Sequence, residues 1–195
     1  KNPNQVEEEK VVLTPVSAED HILGNPLAEV VVVEYSDFEC PFCKVFHNTM
    51  HQIVIEYGDK VAWVFRHMPI PELHAKAKKE AEASECAAEQ GGNTIFWKYA
   101  DKIFEITKGN DSLDPLELPK IALSLGLDVE KFNSCLSSGK YTQVIENSIK
   151  QADKDGIPKG TPYSIIISKD GKQIPIRGAS PIEEVRIRIS EALTN

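Results

Sequence analysis

Apolar and polar positions change rhythm several times along the chain, and each change marks an element. The segment "EVVVVEYS", residues 29–36, is a near-continuous β-branched run. Such a run suits a strand buried on both faces in the middle of a mixed sheet. Past Pro41 the period becomes helical: Phe42, Val45, Phe46, Thr49 and Ile53 recur at spacings of three and four, and Gly58 closes the helix. "KVAWVFRHM", residues 60–68, returns to β-branched and aromatic residues and reads as a second strand. Strand, helix, strand over so short a stretch is a βαβ unit, which predicts a parallel pair with a right-handed crossover.

From residue 72 to 156 the pattern is helical almost throughout. Leu73, Ala77, Ala81, Ser84 and Ala88 form one stripe, stopped by Gly91 and Gly92; Ile95, Phe96, Tyr99, Ile103 and Phe104 form another. Two short helices follow, with Asp114 and Asp128 as N-cap candidates, and "KYTQVIENSIKQADKDG" is one more. Strands resume in "YSIIISKDGKQIPI", with a turn signal at Lys169–Lys172, so a hairpin is expected. The terminal "SPIEEVRIRISEAL" carries Ser180 and Glu183 at capping-box spacing, with Pro181 at the first helical position. Before the first long strand, Val11–Leu13 reads as a short edge strand and "LGNP" as a turn. The predicted organisation is therefore a lead-in over 1–24, partly mobile, a first α/β half over 25–70, a helical insertion over 71–156 and a second half over 157–195. The fold class is α/β, a mixed central sheet with flanking helices and an inserted all-helical subdomain.

Composition narrows the function. The 195 residues carry a net charge of -8. The densest basic group, Lys76, Lys78 and Lys79, is followed at once by Glu80 and Glu82. Nucleic acid is not an expected partner, because phosphate neutralisation needs a basic face. No apolar run approaches the roughly 20 residues of a membrane span. The chain opens at Lys1 with no signal-like stretch. Either an export segment, a cleaved signal or a lipid or membrane tether, has been removed from its front, or the sequence has been trimmed.

Chemistry concentrates at "DFECPFCK", residues 37–44. A Cys-x-x-Cys can bind metal, staple the fold or exchange disulfides. Structural zinc takes four ligands in two spaced pairs, and the second pair is missing. His47 and His51 stand four apart on the same helix and could share an ion, but two half-exposed helix residues is the plainer reading, and no metal is expected. A staple closing so short a loop removes little chain entropy. Redox chemistry suits the context. Cys40 falls at the helix start with Pro41 at N1, where unpaired N–H groups and the helix dipole favour a thiolate. Cys43, one turn on, is then the shielded resolving thiol. Glu34 falls within the apolar strand, where alternation can turn it beneath the helix as a buried proton shuttle; the alternative is a residue on the strand's solvent edge. Pro162, after Gly160 and Thr161 and before a strand, marks a tight turn that is a candidate for a cis bond. With Cys40 and Cys43 paired, Cys86 and Cys135 either pair with each other or remain buried thiols.

Taken together, "VVVVEYSDFECPFCK", "SECAAEQGG", "FNSCLSSGKY" and "GIPKGTPY" resemble the DsbA-like branch of the thioredoxin superfamily, in order, from about Asn25 to the C-terminus. The resemblance implies a thioredoxin fold and thiol–disulfide exchange in the periplasm or bacterial cell envelope. It implies Cys40 as nucleophile, Cys43 as resolving thiol, Glu34 as buried acid, Pro162 as the cis-proline facing the thiols, and a structural disulfide between Cys86 and Cys135. It implies no cofactor, reduced or unfolded proteins as substrates, and a quinone-linked membrane thiol oxidase that resets the disulfide. Two residues depart from the strong oxidants of that branch: Phe42 stands where they carry His, and Thr161 where they often carry Val. The loss of an imidazole points to weaker oxidation. The expected function is a monomeric oxidase. An isomerase or reductase of the same fold is the nearer alternative, a non-catalytic chaperone or a metal carrier using Cys40, Cys43 and His47 the remoter ones.

Overall fold

The structure, a computed structural model, describes residues 11–194. Five strands and six helices follow the chain: β1 (His21–Leu23), β2 (Val30–Ser36), α1 (Pro41–Tyr57), β3 (Val61–His67), α2 (Ala77–Ile106), α3 (Glu117–Ser124), α4 (Val129–Ser138), α5 (Thr142–Lys154), β4 (Tyr163–Ile167), β5 (Gln173–Arg177) and α6 (Ile182–Thr194). The sheet order is β1-β3-β2-β4-β5. β2 pairs parallel with β3 and antiparallel with β4, so the valine run lies at the centre, as its composition predicts. Helices α2–α5 fall between β3 and β4, the insertion in an otherwise thioredoxin-like arrangement.

Alternation along β2 sorts its side chains. Val30 and Val32 pack with Phe46, Met50 and Ile53 of α1 and with Trp63 and Phe65 of β3. Val33 and Tyr35 face the other way, toward Ile165, Ala152 and Leu13. Glu34 shares the parity of Val30 and Val32 and so lies on the face that α1 covers.

Four local expectations are corrected. Residues 11–13 form no strand; the Val12 N–H donates to the Asp155 carbonyl at the end of α5, and Thr14 bonds the Asp155 carboxylate. The sheet edge is instead β1, antiparallel to β3, so Leu23 ends a strand and the turn starts at Gly24. Asp114 does not cap α3, which begins at Glu117; its carboxylate accepts the Leu116 N–H in a preceding turn. Ser180 bonds Glu184 rather than Glu183, whose carboxylate pairs with Arg186, and α6 begins one residue after Pro181. Asp128 does cap α4, accepting the Lys131 N–H. α2 breaks at Gly91 and Gly92, where the backbone leaves helical geometry and Gly92 takes a φ of 65°, as the sequence anticipates. The expected mobile lead-in falls mostly on residues 1–10, outside the described residues; residues 11–24 include the buried Leu13 and β1.

Candidate active site

The site forms where the C-terminal end of β2 passes into α1. Cys40 is the N-cap of α1 and Pro41 its first residue, so the missing proline N–H costs no hydrogen bond. The Cys40 N–H donates to the Asp37 carbonyl at 3.1 Å, which closes the turn and aims the thiol across the helix start. Its Sγ lies 3.3 Å from the carbonyl oxygen of Thr161, and the Thr161–Pro162 peptide is cis. Thus β4's leading turn meets the first turn of α1 at the sulfur.

Both thiols are free, and the two differ in depth and charge. Cys40 is 5% exposed and Cys43 0%, so the sulfur at the helix start is the shallower of the two but less open than its position alone suggests. A hydrogen bond from the Cys43 thiol, joined by Thr161 and the N–H groups of Cys43 and Phe42, holds Cys40 down to about 6, against the opposing effect of burial. Burial pushes the Cys43 thiol well up, and the neighbouring Cys40 and Glu34 add to it. One sulfur is therefore set up as a thiolate near neutral pH and the other as its proton donor.

Glu34 is fully buried, and burial raises its carboxyl to about 8. The indole N–H of Trp63 donates to Oε2 at 2.9 Å, while Oε1 makes no hydrogen bond. The charge on Cys40 adds to that rise, and Glu34 in turn helps raise Cys43. A buried carboxyl that is neutral at pH 7 and has one unpaired oxygen can pass a proton to or from Cys43. Phe42 is 65% exposed, and with exposed Val45 one turn on it gives the thiols an apolar rim.

A second ring of residues has no counterpart in the sequence reading. The Asp37 carboxylate accepts the N–H groups of Glu39 and Ile70 and contacts His74 Nδ1 at 2.9 Å. The buried Glu39 accepts from the N–H groups of Ser112 and Leu113 and from the Thr107 hydroxyl. Glu80, raised to about 9 by burial and then by Glu39 beside it, stays protonated against it. These bonds tie the Cys40 turn to the loop after α2. That loop is close enough to Pro41 that a Cβ on Gly109 would fall 2.7 Å from the proline ring, at a φ of 80° that also favours glycine. The signal available was the pair of acidic residues flanking Phe38 in a stretch that otherwise reads as apolar.

Cys86 on α2 and Cys135 on α4 are joined by a disulfide, Cα to Cα 5.9 Å, inside the insertion and apart from Cys40 and Cys43. His47 departs from the half-exposed surface residue expected: it is buried, packed against the rings of Trp63 and Phe104, because α1 turns that face toward α2.

A Cys-x-x-Cys at a helix N-terminus, facing a cis-proline turn across a mixed sheet, defines a thioredoxin-type redox protein. The thioredoxin family profile (Thioredoxin_4) matches residues 17–186, and the chain belongs to that family, in its DsbA-like branch. Among solved structures, DsbA2 of Pseudomonas aeruginosa superposes with a TM-score of 0.74 at 28% identity, over 93% of this chain and 98% of that one. BdbD of Bacillus subtilis, in its oxidised form, gives 0.76 at 24% identity over 90% of this chain and 94% of that one, a likeness of fold. By sequence, 152 residues are 35% identical to the Na(+)/H(+) antiporter NhaA 3 of Salinispora tropica, covering 77% of this chain and 22% of that protein. The NhaA 1 antiporter of Mycolicibacterium gilvum is 33% identical over 145 residues, again 22% of its length. The chain thus spans about a fifth of the length of these curated relatives. Among the described residues no helix is long and apolar enough to cross a membrane.

Proposed function

We propose that the protein is an exported thiol–disulfide oxidoreductase that introduces disulfides into reduced substrate proteins. The observation that carries this is the placement of two free thiols at the start of α1, with Cys40 Sγ 3.3 Å from the Thr161 carbonyl of the cis turn, and the asymmetry it brings, Cys40 lowered to about 6 and Cys43 raised above its ordinary value. In the oxidised protein a substrate thiolate attacks Cys40 Sγ, the Cys40–Cys43 bond breaks, and its electron pair leaves on Cys43. Glu34 supplies the proton that Cys43 takes up. A second substrate thiolate then attacks the substrate sulfur of the mixed disulfide. Cys40 departs as a stabilised thiolate, so this step is favoured by the same contacts that lower its pKa. The balance is one substrate dithiol oxidised and one Cys40–Cys43 disulfide reduced.

Thr161 and Pro162 border the sulfur and offer backbone to an extended substrate segment, while Phe42 presents an apolar face that suits unfolded chains. The Cys86–Cys135 bridge is a structural bond and suits an oxidising compartment such as the periplasm. Regeneration by a quinone-linked membrane thiol oxidase and action as a monomer follow from the DsbA-like resemblance. The test is to mix oxidised protein with reduced, unfolded ribonuclease. Oxidation of about one thiol pair per protein, abolished in Cys40→Ser, is the expected result. Reduction of insulin disulfides without ribonuclease oxidation would assign a reductase instead.

A further inference from the structure

Away from the thiols, α1 meets the second half of α2 at a cluster that the redox chemistry does not use. His47 Nε2 and His51 Nε2 each lie 2.7 Å from one oxygen, Asp101 Oδ1, and 3.1 Å from each other. The histidines are one turn apart on α1, and the aspartate comes from α2, 54 residues beyond His47. We propose that His47, His51 and Asp101 form a binding site for a divalent transition-metal ion of the zinc class.

The donor set is the first argument. Two imidazoles and one carboxylate are a familiar three-ligand set for such ions, with the remaining positions left to water. The spacing is the second. In a tetrahedral site, bonds of about 2.0–2.1 Å put neighbouring ligand atoms roughly 3.3 Å apart, and the three atoms here form a slightly tighter triangle with edges of 2.7, 2.7 and 3.1 Å. Opening its two short edges by roughly half an ångström lets one ion replace the two N–H protons that otherwise converge on a single oxygen.

Access and rigidity are the third. The His51 and Asp101 side chains are 30% and 43% exposed, and the trio opens on a surface cleft of about 440 Å³ bordered by Lys44, Asn48 and Glu105. The Lys44 ammonium is tied to the carbonyls of Glu105 and Thr107 rather than to the trio's carboxylate. His47, in contrast, is deeply set. Its Nδ1 makes no hydrogen bond, and its ring is held by packing against Trp63 and Phe104. No cysteine sulfur joins this cluster among the described residues. An ion here would clamp the helix that carries the thiols to the inserted subdomain, and the assignment is independent of the direction of thiol exchange.

The test uses oxidised protein, whose Cys40 and Cys43 sulfurs are spent in a disulfide, stripped with a chelator. Titration with ZnCl2 by calorimetry, and with CoCl2 for its visible absorption, should give one ion per chain and a zinc-dependent rise in melting temperature. His51→Gln and Asp101→Asn, both at half-open positions, should weaken binding by at least about tenfold, the loss that even an outer-shell change can cause. His21→Gln should leave it unchanged; His21 belongs to a separate trio with His67 and Glu85, in which Glu85 Oε1 lies 2.8 and 2.9 Å from the imidazole nitrogens. No heat and no cobalt band would overturn the proposal. So would binding that survives His51→Gln and Asp101→Asn, or binding lost in His21→Gln.

Discussion

Cys40 Sγ and the Thr161 carbonyl oxygen lie 3.3 Å apart across 121 residues of sequence, one at the start of α1 and the other at the turn into β4. The reacting sulfur is therefore held by the two halves of the fold together. The Cys43 thiol is the largest cause of its lowered pKa. Titrating the thiolate absorbance of reduced protein should give a half-point near 6, absent in Cys40→Ser. Cys43→Ser, which keeps a donor, should retain it, and Cys43→Ala should move it upward. Because the folded value lies below the ordinary 9.0, the thiolate's contribution to stability is complete above pH 9 and is lost as pH falls through about 6. Oxidised protein lacks that thiolate, so the gap in melting temperature between reduced and oxidised forms should widen as pH rises across this window. A gap independent of pH would remove the thiolate from the account.

Glu34 runs the other way. Its folded value of about 8 lies above the ordinary 4.5, so it destabilises the fold increasingly as pH climbs from 4.5 through 8. Glu34→Gln keeps an acceptor for Trp63 and removes the titration. Its stability relative to the parent should improve over that range, by an order of a few kcal/mol at most. Its disulfide exchange should slow and lose a pH dependence centred near 8. Identical pH–rate profiles for the two proteins would return Glu34 to a purely structural role.

The disulfide of the insertion gives a separate expectation. Cys86 and Cys135 are 49 residues apart, and closing a loop of that size stabilises by roughly 4 kcal/mol in the chain-entropy model. A Cys86→Ala, Cys135→Ala variant should melt roughly 10 °C lower, yet oxidise ribonuclease at the parental rate. Loss of activity with an intact fold would show the bridge to take part in exchange.

What the sequence revealed follows from how local each signal is. The valine run of β2 admits one reading, because few environments other than a sheet centre bury both faces of a strand. Cys40, Pro41 and Cys43 were legible because a helix start imposes its chemistry within one turn. The edge strand β1 was not: three residues, His21–Leu23, show no alternation, and their pairing with β3 comes from tertiary contact. The Val11–Leu13 run misled for the matching reason: Leu13 and Val11 pack on the far face of the sheet, while Val12 reaches the end of α5 only through its N–H and leaves its side chain exposed. Asp37, Glu39, His74 and Glu80 escaped notice because their partners come from distant loops. Asp101 likewise meets His47 and His51 only once α1 and α2 are folded together.

The measurement that bears most directly on the central claim is the reduction potential of the Cys40–Cys43 couple, taken by equilibration with glutathione. A low-pKa Cys40 beside a protonated Cys43 favours the reduced form, while Phe42 supplies no imidazole to strengthen the effect. The account predicts a potential between about -120 mV, the value of a strong oxidant of this fold, and about -220 mV, the less reducing end of the glutathione range. A potential at or below about -270 mV, that of thioredoxin, would contradict it and make the protein a reductant.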